Sequence, residues 1–462
     1  MKTSIAAVIG LLLVPYLAMA QAPEDQAMPD NAAIMQILAD RIDRDQQGVG
    51  MATSLVEGSL PRFVAHGSLA AGKAPVDEHT LFEIGSITKI FTNLLLADMV
   101  LRGGMTLDDP VVDYLPADTV IPERGGKQIT LFDLATHSSG LPRMPTNFSP
   151  ADQANPYPDY GADQLYSFLA GYALPRDIGT QFEYSNLGTA LLGQAIVTTS
   201  GIDYASLVRT RILEPLGMTD TTMTLTPEQT TRFATGHDRQ LEATSHWDFD
   251  VFAPAGAYRS SAADMAKFVA AASGTVPTPL DAAFALMLAQ TRPVDTGATI
   301  GLGWLIRDHD GHQIVWHNGG TGGFRSFIGF DRASKSSVVV LSNTATDRGV
   351  DDIGMYMINA DLPLAAQPKL RLAVDLDPAS LDNYVGDYAL SPDFVLAVTG
   401  ENGSLFVQAT NQPKNQVFFE GDHNFFYKVV DAQLSFTMGP DGKATSVVLH
   451  QNGQDIPGPR QK

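Results

Sequence analysis

Ser86 and Lys89 stand three residues apart in the stretch Leu81–Leu101, LFEIGSITKIFTNLLLADMVL, and they form the only Ser-x-x-Lys in the chain. On a helix, that spacing puts an alcohol and an amine on one face, one turn apart. A serine hydroxyl is a weak nucleophile until a neighbouring base takes its proton. A lysine sunk among apolar neighbours loses part of its preference for the charged form and can act as that base. The start of a helix adds unpaired N–H groups and partial positive charge, which favour a developing oxyanion. The plainer alternative is that Ser86 only caps the helix and Lys89 only solvates it.

Two further groups fit the same chemistry. Tyr184-Ser185-Asn186 holds the only Tyr-x-Asn of the chain and lies just before an apolar stretch, Leu187–Thr199. A phenol near Lys89 can shuttle a proton, and an amide two residues on can hold both the lysine and a substrate amide; otherwise Tyr184 packs its ring and Asn186 caps a helix. His317-Asn318-Gly319-Gly320 opens the run HNGGTGG, where successive glycines let a substrate backbone lie against the strand. His137, in ATHSSGLP, sits beside two serines but in a turn, and reads as structural. No Gly-x-Ser-x-Gly occurs, so the elbow of the α/β-hydrolases is missing.

The elements that must position these groups are legible in outline. Ile87, Ile90, Phe91, Leu94, Leu95, Met99 and Leu101 keep helical spacing, Ser86 falls at the expected N-cap, and Gly103-Gly104 ends the helix. Ala32–Arg44 reads as a helix preceding strands at Gly48–Leu55 and Arg62–Ser68. Gly301–Arg307, Gln313–His317, Ser326–Phe330 and Ser337–Leu341 read as further strands, the last two a hairpin closed by Asp331–Lys335. A helix follows Ser260 or Ser261, either of which can cap it. Pro145–Gly179, rich in Pro, Asp, Asn and Tyr, reads as an ordered, irregular excursion.

Composition narrows the class. The chain has 462 residues, 44% of them hydrophobic, with room for two domains, and a formal net charge of −21. That acidity argues against nucleic acid or an anionic membrane as partner. Cysteine is absent, which removes disulfides, thiolate metal sites and a cysteine nucleophile. No metal and no cofactor are expected. Residues 1–20, MKTSIAAVIGLLLVPYLAMA, read as a signal sequence cleaved after Ala20, implying an exported, periplasmic or extracellular protein without a membrane span.

With Ser86-Ile87-Thr88-Lys89, Tyr184-Ser185-Asn186 and His317-Asn318-Gly319 in this order, the chain resembles the serine β-lactamase and penicillin-binding-protein superfamily, in its class C-like branch. ATHSSGLP, ILEPLGM, GAYRSSAADMAKF and GGTGGFRSFIGF support the resemblance, which covers roughly residues 30–345. It implies an α+β domain, an antiparallel sheet flanked by helices with an all-helical subdomain, and an acyl-enzyme on Ser86. Lys89 and Tyr184 would share the base role, Asn186 would orient Lys89 and the substrate, and His317, Asn318, Gly319 and Gly320 would bind the substrate. The backbone N–H groups of Ser86 and Gly320 would form the oxyanion hole. The implied substrate is a β-lactam or a D-amino-acid amide or peptide. The alternatives are a carboxylesterase on the same scaffold and a non-catalytic binder of penicillin or cell-wall peptides. Two departures stand out. No Glu-x-x-x-Asn lies between the second and third motifs, and the third begins with His317 instead of Lys. A histidine near its reference pKa of about 6.5 holds a carboxylate less firmly than an ammonium. Arg325 is the candidate replacement cation.

The expected organisation is a signal sequence over 1–20, the hydrolase domain over 21–360, a Pro-marked linker over 361–378, and a β domain over 379–462. In the last, FVLAVT, SLFVQA, NFFYKV, QLSFTM and TSVVLH read as strands of a small antiparallel barrel. It resembles the lipocalin-like domain appended to some members of the branch.

Overall fold

The structure, a computed structural model, describes residues 28–462 apart from 59, 295, 296, 367–370, 372, 393, 411, 429–431, 452, 453 and 462. The expected signal sequence lies outside the described residues. Among the described residues, no helix is long and apolar enough to cross a membrane. The chain divides between Ala366 and Gln367 into two compact units.

The first unit is built on an eight-stranded antiparallel sheet. Its spatial order is Leu60–Gly67, Gly50–Glu57, Ser337–Ser342, Arg325–Asp331, His312–Gly320, Leu305–His309, Ala298–Ile300 and Arg292–Pro293. Ser337–Ser342, SVVVLS, is buried on both faces because helices cover both sides of the sheet there. Alternation along it divides two cores. Val338 and Val340 join Phe327, Ile34, Leu38, Ile353 and Met357 under the terminal helices Asn31–Ala39 and Asp351–Ile358. Val339 and Leu341 face the other way, into the main helical core.

The helix Thr88–Leu101 is buried along Thr88–Asp98, so it is an interior helix with little amphipathic contrast. It packs against Asn186–Ser200, Ala253–Gly256 and Asp281–Met287. Helix starts follow ordinary capping chemistry. Ser185 accepts from the Gly188 N–H at 2.8 Å, and Ser261, not Ser260, caps Ala262–Ala272. The expected capping role of Ser86 is not what forms. Ser86 lies inside a 3₁₀ turn, Gly85–Ile87, that runs straight into the helix, and no side chain caps it. The hydroxyl is thereby left to face Lys89.

The second unit is an eight-stranded antiparallel meander from Gly386–Ser391 to Gln454–Pro459. It is nearly closed into a barrel. Tyr388 bridges to Arg460, and the Gln461 N–H donates to the Asp387 carbonyl at 2.7 Å. Leu396, Val398, Leu405, Val407, Leu434 and Val447 fill its interior. Three strands beyond the five expected complete it: Gly386–Ser391, Lys414–Gly421 and Gln454–Pro459. The last carries Pro457 and Pro459, which argue against a strand in sequence and are tolerated because its outer side is only partly paired.

Gly354 gives the sheet–helix contact a sharp test. A β-carbon there would overlap the Phe327 ring. Gly354→Ala is expected to destabilise the first unit by about 1–3 kcal/mol, seen as a lower melting temperature by calorimetry.

Candidate active site

The turn that carries Ser86 is held by backbone contacts. Gly85 has φ of 50°, and a β-carbon on it would lie 2.7 Å from the Gly320 nitrogen and 2.8 Å from the Gly320 oxygen. Only glycine allows both the left-handed conformation and that approach. The Ile84 N–H donates to the Tyr258 carbonyl at 3.0 Å, the Ser326 hydroxyl donates to the Ile84 carbonyl at 2.8 Å, and the Tyr258 N–H donates to Thr88 Oγ1 at 3.2 Å. The Ser86 turn is therefore clamped on both flanks and laid against the strand His312–Gly320.

Lys89 is fully buried. Its Nζ lies 3.0 Å from Ser86 Oγ and donates to the Ala255 carbonyl at 2.7 Å. Burial pulls its pKa well below the ordinary lysine value, and the positive charge of Arg143 adds to the effect. Among the described residues, no carboxylate contacts it. Tyr184 sits at the end of the loop before Asn186–Ser200, with Lys89 Nζ 4.8 Å from its ring centroid. Burial pushes the phenol up to about 12, partly offset by a side-chain hydrogen bond with Ser86. The structure thus brings Ser86, Lys89 and Tyr184 into one place.

The other expected residues divide. Asn186 lines the cleft, but its amide nitrogen turns to the Met144 sulfur at 3.6 Å, and Ala255 supplies the acceptor that orients Lys89. Gly320 lines the cleft beside Ser86. Gly319 does not make room for substrate: the Ile84 carbonyl and the Ser326 hydroxyl occupy the space its side chain would take. Asn318 points to the opposite face of the sheet, where its amide donates to Asp351. Adjacent strand residues face opposite ways, so His317 and Asn318 cannot both enter one site. Arg325 is also turned away; its guanidinium donates to the carbonyls of Thr346 at 3.0 Å, Thr321 at 3.2 Å and Phe324 at 3.1 Å.

His317 is buried behind Tyr184, ring centroids 6.3 Å apart. Its Nδ1 lies 2.6 Å from the Asn318 carbonyl, which can only accept, so Nδ1 carries the proton and Nε2 keeps a lone pair. Burial, reinforced by Lys89, pushes its pKa down to about 3. It is a neutral neighbour of the phenol and no anchor for a carboxylate, contrary to the expected role. His137 is likewise buried, at φ 53°, with its ring 4.5 Å from that of Tyr184; its Nδ1 accepts from the Ser185 N–H at 3.2 Å. It braces Tyr184, a role the turn sequence around it does not announce.

Sequence reasoning missed the walls of the cleft. Tyr157 stacks on Phe249 at 4.8 Å and 11°, with Trp247 and Phe252 5.2 and 5.6 Å from Tyr157. All four line the cleft with Ser86, Asn186 and Gly320. Arg143 is the one charged side chain in that lining, its guanidinium 5.1 Å from the Tyr184 ring centroid. The aromatic wall rests on buried Glu83, which accepts from the Trp247 N–H at 2.8 Å and faces Arg259 at 3.6 Å. Burial raises the Glu83 pKa, partly offset by Arg259. A separate cavity of about 560 Å³, lined by Leu213, Met218, Met223 and Tyr258 among others, holds none of the three reactive residues.

A Ser-Lys-Tyr cluster between an antiparallel sheet and a helical body defines the serine β-lactamase class of fold and site. Residues 33–360 match the family described as Beta-lactamase, and the chain belongs to that family. Residues 370–459 match a family described as a domain of unknown function, DUF3471. Penicillin-binding protein 4* of Bacillus subtilis strain 168 is 27% identical over 421 residues, 84% of this chain and 90% of that protein. The D-alanyl-D-alanine-carboxypeptidase/endopeptidase AmpH of Escherichia coli K12 is 32% identical over 200 residues, 43% of this chain and 51% of AmpH. The crystal structure of a class C β-lactamase from Rhodobacter sphaeroides superposes with TM-score 0.61 at 26% identity, covering 72% of this chain and 98% of that one. These relatives are serine hydrolases by family, and the architecture is class C-like.

The buried histidine carries a stability signature. Between about pH 6.5 and pH 3 the unfolded chain binds a proton at His317 that the native state does not, so stability rises with pH there and falls on acidification. The slope from this group is up to about 1.4 kcal/mol per pH unit. Urea unfolding from pH 7 to pH 4 is expected to show a shallower decline for His317→Asn than for the wild type; equal slopes would remove His317 as the cause.

Proposed function

We propose that this protein is a periplasmic serine hydrolase that forms an acyl-enzyme on Ser86 with β-lactams or D-amino-acid amides. The observation that carries this is the fully buried Lys89 amine 3.0 Å from Ser86 Oγ, oriented by the Ala255 carbonyl. As the neutral amine, Lys89 accepts the hydroxyl proton while Oγ forms its bond to the carbonyl carbon, and the carbonyl π pair moves to oxygen. The N–H groups of Ser86 and Gly320 would stabilise that oxyanion, each such donor typically contributing roughly 3 kcal/mol. Collapse breaks the bond to the leaving nitrogen, which takes a proton from Tyr184, and the proton on Lys89 restores the phenol. A phenol held near 12 is protonated at neutral pH, so it suits the donor role better than that of initial base. Water then repeats the sequence on the acyl-enzyme, with the released serine reprotonated. Because the neutral His317 supplies no cation, esters that lack a carboxylate at that position are a second substrate class for the same machinery.

The test is incubation with a fluorescent penicillin, nitrocefin and p-nitrophenyl butyrate, beside Ser86→Ala. A stable Ser86-dependent label marks a penicillin-binding protein, nitrocefin turnover a β-lactamase, and ester turnover alone an esterase. No Ser86-dependent signal with any of the three would refute the hydrolase reading in favour of a binding module.

Lys89→Arg separates base from cation. Arginine keeps the charge and cannot deprotonate, so the acylation rate is expected to fall about 10²–10⁴-fold, measured by stopped-flow labelling. Retention of most of the rate would exclude Lys89 as base.

A further inference from the structure

The cleft beside Ser86 has a charge pattern that the motif residues do not supply. The third-motif position holds a buried neutral histidine, and the nearby Arg325 spends its guanidinium on three backbone carbonyls. The cation in the cleft is instead Arg143, which enters from the helical side. Its carbonyl accepts from the N–H groups of Asn186 and Leu187 at 3.1 and 3.3 Å, so its backbone is tied to the start of the helix that follows Tyr184. Its side chain is exposed, lies over the Tyr184 ring, and among the described residues has no acidic or hydrogen-bonding partner. Across from it stands the aromatic wall of Tyr157, Trp247, Phe249 and Phe252. Glu83 holds the wall in place, and Gly322 gives it room, since a β-carbon on Gly322 would sit 2.9 Å from Trp247 Nε1.

We infer that Arg143 is the carboxylate-binding residue of this site, and that the preferred acyl donor carries a flat apolar group for the aromatic wall together with a carboxylate for Arg143. This rests on the serine-hydrolase reading for turnover, but not for binding. A planar guanidinium with unused donors matches a carboxylate two-pronged, and its seat on the Tyr184 ring limits the freedom it loses on binding. An uncharged substrate of the same shape would fill the aromatic wall and leave the guanidinium unsatisfied. Because the anion is held by Arg143 while His317 is buried behind Tyr184, replacing His317 with a cation would not reproduce this preference.

The test compares p-nitrophenyl phenylacetate with its ring-carboxylated analogue, p-nitrophenyl 4-carboxyphenylacetate, in wild type, Arg143→Ala and Arg143→Lys. The wild type is expected to favour the carboxylated ester in KM by roughly tenfold, the range of a charge-assisted pair. Arg143→Ala should erase that preference by raising KM for the carboxylated ester alone, any change in kcat from losing its charge near Lys89 falling equally on both esters, and Arg143→Lys should restore part of it. Equal KM effects on both esters, or a wild type indifferent to the carboxylate, would overturn the proposal. Binding is read separately in Ser86→Ala by quenching of Trp247 fluorescence with 4-carboxyphenylacetate, with Trp247→Phe identifying the signal. Arg143-dependent quenching without Ser86-dependent turnover would sink the hydrolase reading and keep the anion site. Turnover with quenching that ignores Arg143 would do the reverse.

Discussion

A lysine amine sealed in a protein interior without a carboxylate is unfavourable as an ammonium, and the chain accepts that cost at Lys89. Everything near it acts to keep the charge unwelcome and the amine aimed. The Ala255 carbonyl takes one hydrogen bond, Ser86 takes another, and the charge of Arg143 disfavours a further positive charge. His137 and His317 stay neutral, each with one ring nitrogen already engaged by backbone. Tyr184, between them, is driven the other way and keeps its proton. The cluster at neutral pH is therefore poised with a base able to accept and an acid able to give, set by burial more than by ion pairing.

Such a cluster requires a backbone that does not yield. Gly85 against Gly320 is a main-chain contact with no room for a side chain, and Gly319 meets the Ile84 carbonyl just as closely. These contacts join a turn and a strand more than 230 residues apart in sequence, and they set where an oxyanion would fall between the N–H groups of Ser86 and Gly320. The glycines that read as space for substrate are mostly space for the protein itself.

The reactive trio was legible because each member belongs to a short local pattern: Ser86 and Lys89 one helical turn apart, Tyr184 ahead of a capped helix. The sheet and the main helices were legible from periodicity, since their burial alternates or runs apolar as strands and interior helices should. Ser86 misled as a cap because Gly85 tightens the entry into a 3₁₀ turn. Asn318 and Arg325 misled because motif reading ignores the two-residue period of a strand; Asn318 pairs directly with Phe327, which faces the terminal helices, and Arg325 is two residues from it. Arg143 and the aromatic wall carried no local signal at all. Tyr157 and Phe249 meet through a single bridge between two irregular loops, and nothing in either loop's periodicity marks that pairing.

One short segment links the Ser86–Lys89–Tyr184 cluster to the aromatic wall of the cleft. The strand pair Phe82–Glu83 and Arg259–Ser260 ties the residues just before the nucleophile to the run from Ala253 onward. That run supplies the Ala255 carbonyl to Lys89 and both backbone groups of Tyr258 to the flanks of Ser86. The same two-residue ladder places Glu83 beside Arg259, and Glu83 holds the Trp247 backbone. A change that loosens the ladder must therefore disturb the base and the binding wall together, whereas Arg143 hangs from a different support, the Asn186 helix start. Lys89 and Arg143 are thus mounted on separate parts of the fold, which leaves the cation of the cleft free to change without moving the amine beside Ser86.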